Sequence, residues 1–113
     1  MSTDVLMSAR ALVLHDLSAR GMESARSVDV LEAVLSDRRW WVEQWPDGGP
    51  YVSGQVAQDV QEKLLDGQLG RWPLCTVCDQ TDEHELRIEP ELGADPHWVC
   101  ELSGIVASPL GEL

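Results

Sequence analysis

Hydrophobic side chains recur at helical spacing in three stretches of the first 70 residues. The first stretch, 4–20, ends at Gly21, a residue typical of helix C-termini. A second stripe starts near Ser27 and fades around Asp37, and a third fits 53–66, with Gly67 as its stop. The pattern predicts three amphipathic helices that share one core, with the stripe residues Leu6, Ala9, Val13, Leu17, Val28, Leu31, Val34, Leu35, Val56, Val60 and Leu64.

The periodicity changes after Gly70. The segments HELRI, HWVC and IVASPL read as short strands, separated by turn-like EPELGADP and ELSG. We therefore predict an α+β fold, in which a helical portion, 1–70, packs on a small antiparallel β module, 71–113, as one compact unit.

The segment RRWWVEQWPDGGPYV between the second and third helices is open to two interpretations. Trp40, Val42 and Trp45 are spaced as in a short strand, but the segment also fits the tail of a helix followed by a loop that starts at Pro46. Exposed indoles are frequent anchors of protein interfaces, so Trp40, Trp41 and Trp45 are candidates for a partner-binding surface. The interpretation we favour is that one or two of them cover the junction between the helices and the β module.

The chain is strongly acidic, with 8 basic and 20 acidic side chains and a net charge of −12. The last 43 residues hold 2 basic and 9 acidic groups. Because a nucleic-acid backbone is bound by Lys and Arg, we expect no direct nucleic-acid binding. The acidity favours solubility, or docking onto a partner protein with a basic surface; mimicry of a nucleic acid is a weaker alternative.

The beginning of the sequence has no basic leader, and its longest apolar run is Ala11–Leu14. That run is too short for a signal-peptide core or a membrane span, so we expect a cytoplasmic protein with no membrane association. Thiols stay reduced in that compartment, and three cysteines are an odd number. A disulfide framework is therefore not expected.

The three cysteines are spaced as ligands of one tetrahedral metal ion. Cys75 and Cys78 form a C-x2-C pair, and Cys100 follows at a distance typical of the return strand of a zinc ribbon. The fourth ligand is His84 or His97. If His97 and Cys100 lie in one extended strand, they are about 10 Å apart and face opposite sides, which favours His84 and leaves His97 as the alternative.

Oxygen ligands suit this site less well. The acidic run after Cys78 includes Asp79, Asp82, Glu83 and Glu85. Three soft thiolates with one imidazole are the ligands that zinc prefers. We therefore expect structural Zn²⁺; the contrary interpretation is that the cysteines are simply small buried apolar residues.

Catalysis by the thiols is the alternative function. A redox C-x2-C pair normally begins a helix, whose dipole lowers the thiol pKa, whereas Cys78 is followed by an acidic stretch. Zinc deaminases also carry P-C-x-x-C, but they need an upstream H-x-E that this chain lacks. A thiol-dependent redox or metal enzyme using Cys75 and Cys78 stays the competing hypothesis. His15 and Asp16 are neighbours on a helix and are not expected to face each other, so they do not predict a catalytic pair.

The tail of the chain resembles a known pattern. The segments WPLCTVC, HEL, HWVC and VASPLGEL, within Trp72–Leu113, are similar to a zinc-ribbon-like segment of small acidic proteins from high-GC actinobacteria. The resemblance favours His84 over His97 as the fourth ligand, and it implies no activity. Together these observations predict a zinc-stabilised interaction or regulatory protein without catalytic activity.

Overall fold

The computed structural model describes residues 2–78 and 82–113. It has three α-helices and a three-stranded antiparallel sheet, which confirms the predicted α+β class. No described helix is long and apolar enough to cross a membrane. The elements are α1 (Ser2–Ala19), α2 (Ala25–Gln44), a 3-10 helix (Pro46–Tyr51), α3 (Val52–Asp66), β1 (Arg87–Glu89), β2 (His97–Val99) and β3 (Val106–Pro109).

The three helices contact one another in pairs and bury their apolar stripes together. Every predicted stripe residue of α1 and α3 is buried. The same hydrophobic core includes Trp72, Ile88 and Trp98 from the second part of the chain. The helices and the sheet therefore share one core.

Helix α2 is longer than predicted at both ends. Ser24 caps its start by accepting a hydrogen bond from the Ser27 backbone N–H, and the Ser27 hydroxyl accepts one from the Ser24 N–H. The prediction that the helix ends around Asp37 was wrong. Val42 continues the buried face about two turns beyond Leu35, so helical packing continues until Pro46 starts the 3-10 helix.

The strands follow one another in space in the order β1, β2, β3. Ile88 of β1 lies opposite Trp98 of β2, and Trp98 lies opposite Ser108 of β3. The register shifts between Trp98 and Val99, as at a β-bulge. Strands of three and four residues stabilise little by themselves, so the sheet depends on its contacts with the helices.

The side chain of Asp16, on α1, joins the helices to the C-terminal part. It is fully buried, and its Oδ2 accepts hydrogen bonds from the Trp98 indole N–H and the Gly111 N–H, each at 2.7 Å. Its Oδ1 accepts one from the Leu113 N–H at 3.0 Å and one from His15 Nδ1 at 2.9 Å. The expectation that His15 and Asp16 do not face each other was wrong: the half-exposed imidazole reaches back to its buried neighbour.

Two tryptophans fill the junction between the helices and the sheet. The indole N–H of Trp72 donates to the backbone carbonyl of Asp16 at 3.2 Å, and the Trp72 and Trp98 rings meet edge to face at 5.2 Å. Both side chains are buried. The prediction named Trp40, Trp41 or Trp45 for this place, but Trp41 and Trp45 pack near the 3-10 helix instead.

Glutamine side chains of α3 attach the helix to the second part of the chain. The Gln61 amide donates to the backbone carbonyls of Trp72 and Leu86, at 3.0 and 2.7 Å. Gln55 and Gln58, further towards the start of α3, donate to the carbonyl of Glu91. Side-chain amides thus satisfy loop carbonyls that no strand partner reaches.

We predict that Asp16→Asn lowers the free energy of unfolding by about 2–4 kcal/mol, because the new NH2 group must face buried donors instead of accepting from them. Urea unfolding measures the change. Asp37→Asn, at an exposed position on α2, is the matched control and should change stability by less than about 0.5 kcal/mol. Equal stability of the two variants would contradict the role given to Asp16.

Candidate metal centre

Two backbone segments hold Cys75 and His84 opposite each other. Leu74 and Glu85 form an antiparallel bridge, and the Cys75 N–H donates to the His84 carbonyl at 2.8 Å. The Leu86 N–H donates to the carbonyl of Pro73 at the same distance. This short pairing places the first cysteine beside the histidine.

Cys100 lies in a tight turn directly after β2. Its carbonyl accepts from the Gly104 N–H, and its own N–H donates to the Ile105 carbonyl, both at 2.8 Å. The Ser103 N–H lies 3.4 Å from Cys100 Sγ and donates to it. The turn thus closes around the sulfur and points an N–H at it.

The ligand atoms of Cys75, Cys78, His84 and Cys100 all lie within 4.8 Å of one another. Cys75 Sγ and Cys78 Sγ are 3.7 Å apart, and His84 Nε2 lies 3.4 Å from Cys78 Sγ and 3.6 Å from Cys100 Sγ. The cysteines are not in disulfides. Cys100 is fully buried and the other three are half-buried, so the cluster can hold a metal ion at the edge of the core.

A backbone carbonyl fixes the orientation of the His84 ring. His84 Nδ1 lies 2.9 Å from the carbonyl oxygen of Asp82. A carbonyl can only accept, so Nδ1 carries the proton and Nε2 is turned to the sulfur atoms. Metal-bound histidines commonly have a hydrogen bond of this kind on the other ring nitrogen.

Without a metal, the site favours an imidazolium beside a thiolate. The hydrogen bond to the Asp82 carbonyl, assisted by the nearby thiols, raises the pKa of His84 from 6.5 to about 9. Hydrogen bonds from Ser103 are the largest cause that lowers the pKa of Cys100, from 9.0 to about 6. A metal ion bound here takes the place of the His84 Nε2 proton.

His97 does not join this group. It starts β2, is half-buried, and its Nδ1 lies 2.8 Å from the Asp95 carbonyl. The strand is extended, which keeps His97 away from the turn that holds Cys100. Among the acidic residues considered as oxygen ligands, Asp79 lies outside the described residues, and Asp82 contributes its carbonyl to the His84 ring.

The tryptophans considered for an interface lie along the end of α2. Trp40 is 66% exposed, whereas Trp45 packs edge to face on Trp41 at 5.2 Å and lies 5.8 Å from the Tyr51 ring. Gly48 lies beneath the Trp45 ring, where a Cβ would come within 2.2 Å of it. Trp40 is thus the indole of the three that is most open to solvent.

Two contributors to the site were missed in the sequence. Ser103 stands in C-x2-S, the spacing from Cys100 that Cys78 has from Cys75, and this repeated spacing was a usable signal. Asp82 acts through its backbone carbonyl, and no side-chain pattern reveals such a role.

A family model covers nearly the whole chain, matching residues 2–110. No curated protein and no solved structure matched. The similarity of the tail to zinc-ribbon-like segments therefore stays a prediction, compatible with the Cys and His cluster. The matching model, "Domain of unknown function (DUF8819)", shows the family to which this chain belongs.

Proposed function

We propose that this protein binds one structural zinc ion through Cys75, Cys78, His84 and Cys100. The spacing of the ligand atoms carries the proposal. A tetrahedral zinc with sulfur at about 2.3 Å and nitrogen at about 2.0–2.1 Å separates two sulfurs by about 3.8 Å, and sulfur from nitrogen by about 3.5 Å. The corresponding distances here are 3.7 Å between the sulfurs of Cys75 and Cys78, and 3.4 and 3.6 Å from His84 Nε2 to the sulfurs of Cys78 and Cys100.

The donor set supports zinc over other ions. Three thiolates and one imidazole are soft to borderline ligands, which suit zinc and disfavour magnesium or calcium. The bond from His84 Nδ1 to the Asp82 carbonyl gives the ring the tautomer that a metal needs.

A structural role follows from the number of ligands. Four protein ligands complete a tetrahedron and leave no position for water or substrate, unlike the three-ligand sites of zinc enzymes. The ion would join the turn at Cys75 and Cys78 to the turn at Cys100, across strands of only three or four residues. Its binding free energy would contribute directly to folding.

The biological role we propose is a non-catalytic interaction or regulatory protein of the cytoplasm. The net charge of −12 supports a partner with a basic surface. Large apolar side chains that could contact a partner are exposed on α2, at Trp40, and in α3 and near Cys100, at Leu65, Leu102, Ile105 and Val106; Met7, Trp45 and Leu92 are exposed elsewhere. Mimicry of a nucleic acid remains the weaker alternative, since it uses the charge but not the apolar surface.

We predict one zinc per chain in native mass spectrometry of the purified protein. His84→Ala should lose the ion to a weak chelator, because three thiolates alone leave the tetrahedron incomplete. His97→Ala is the matched control and should keep the ion, since that ring lies in extended β2, outside the cluster of ligand atoms. Retention by His84→Ala with loss by His97→Ala would assign the fourth ligand to His97. A wild-type chain without metal would refute the zinc proposal.

A second prediction separates the structural site from thiol chemistry. With zinc bound, Cys75, Cys78 and Cys100 should react with iodoacetamide at least about tenfold more slowly than after chelation, because the metal occupies the sulfur lone pairs. Intact-mass measurement counts the modified thiols. Rapid modification of Cys75 or Cys78 in the zinc-loaded protein would support the thiol-enzyme alternative.

A further inference from the structure

A groove of about 390 Å³ runs between α3 and the metal centre. Leu65 and Leu102 lie on its lining and are 48% and 62% exposed, and the buried side chains of Leu86 and Ile88 also contribute to it. His84, a member of the metal cluster, lines the groove as well. The groove thus combines two exposed leucines and several charged side chains with a direct contact to the metal centre.

We propose that this groove binds a basic amphipathic helix of a partner protein, and that it does so in the zinc-bound state. The proposal rests on the zinc site proposed above. To the proposed interaction function it adds the binding surface, which is the groove, and the chemistry of the bound segment, which is basic and amphipathic.

The backbone of Leu86, on the groove lining, is already paired, which argues against strand addition at that residue. The Leu86 carbonyl accepts from Gln61, and the Leu86 N–H donates to Pro73. An occupant must therefore be recognised through side chains. A helix presents apolar side chains at three- and four-residue spacing, which suits a groove with leucines on its lining.

The charges of the groove favour basic residues beside that apolar face. Its lining carries the carboxylates of Glu62, Glu85 and Glu101 and the guanidinium groups of Arg71 and Arg87. Arg71 lies 3.9 Å from Glu85, and Arg87 lies 3.0 Å from Glu101, so both positive charges are compensated within the protein. The lining thus carries three carboxylates and two guanidinium groups. This excess of one negative charge, in a chain of net charge −12, attracts Lys or Arg and repels an acidic segment.

Binding in the groove should depend on zinc, because residues next to the metal ligands form one side of the groove. Besides His84, this side includes Glu101 and Leu102, which directly follow Cys100. Loss of the ion would remove the link between the Cys100 turn and the other ligands, and with it the constraint on the position of Leu102 relative to His84. Binding should therefore weaken when zinc is removed.

The test is a titration of ¹⁵N-labelled, zinc-loaded protein with a synthetic helical peptide of leucine and lysine. We expect saturable shifts of amide signals in the groove, including Leu65, Arg87 and Leu102. A peptide of the same composition, scrambled to remove its apolar face, should bind at least about tenfold more weakly, as should a leucine–glutamate peptide.

Matched variants locate the surface. Leu102→Asp should raise the dissociation constant about tenfold or more, whereas Leu92→Asp, also more than half exposed but outside the groove lining, should not. Glu62→Lys should weaken binding of the basic peptide more than Glu43→Lys, a change of the same charge beside Trp40 on α2. Shifts that concentrate around Trp40, equal binding of the scrambled peptide, or no binding would overturn the groove proposal.

Zinc content, measured on every sample by native mass spectrometry, separates the two proposals. A full complement of zinc without peptide binding would refute the groove and leave the structural zinc site intact. A chain without zinc would refute the zinc site, and peptide binding by that chain would refute the zinc dependence of the groove.

Discussion

The Asp16 carboxylate lies inside the core and accepts hydrogen bonds from the Trp98 indole, from two backbone N–H groups near the end of the chain, and from His15. Burying a carboxylate costs free energy unless such donors surround it. The Asp16 carboxylate of α1 therefore needs the N–H donors of the C-terminal segment, and those buried donors need the carboxylate as their acceptor. The backbone carbonyl of the same residue accepts from the Trp72 indole. One residue of α1 therefore fixes both tryptophans at the junction.

These tryptophans precede two of the proposed zinc ligands. Trp72 is three residues before Cys75, and Trp98 is two residues before Cys100. By anchoring both indoles, the helical part sets the positions from which the two cysteine-bearing turns begin. The proposed zinc ion would then join those two turns directly, through the cysteine sulfurs. A chain of 113 residues with short strands has a small core, so the Asp16 hydrogen bonds and the proposed zinc ion would both contribute to its stability.

The sequence predicted what depends on periodic patterns and local spacing: the helical stripes, the α+β class and a clustered set of cysteines. It failed where a residue's role comes from distant partners. Asp16 looks like a surface residue of an amphipathic helix, and only the folded chain brings Trp98 and Gly111 to it. The sequence named Trp40, Trp41 or Trp45 for the junction, where the structure has Trp72 and Trp98, because an indole fits either place. The end of α2 was misjudged because arginines and tryptophans interrupt its apolar stripe.

In the proposed site, three sulfurs and one imidazole nitrogen complete the coordination of one zinc ion. X-ray absorption at the zinc edge of the metal-loaded protein measures this coordination. We expect three sulfur neighbours at about 2.3 Å and one nitrogen neighbour at about 2.0–2.1 Å, with no further ligand. A first coordination shell with fewer sulfurs, or with an oxygen from water or a carboxylate, would contradict the closed structural site.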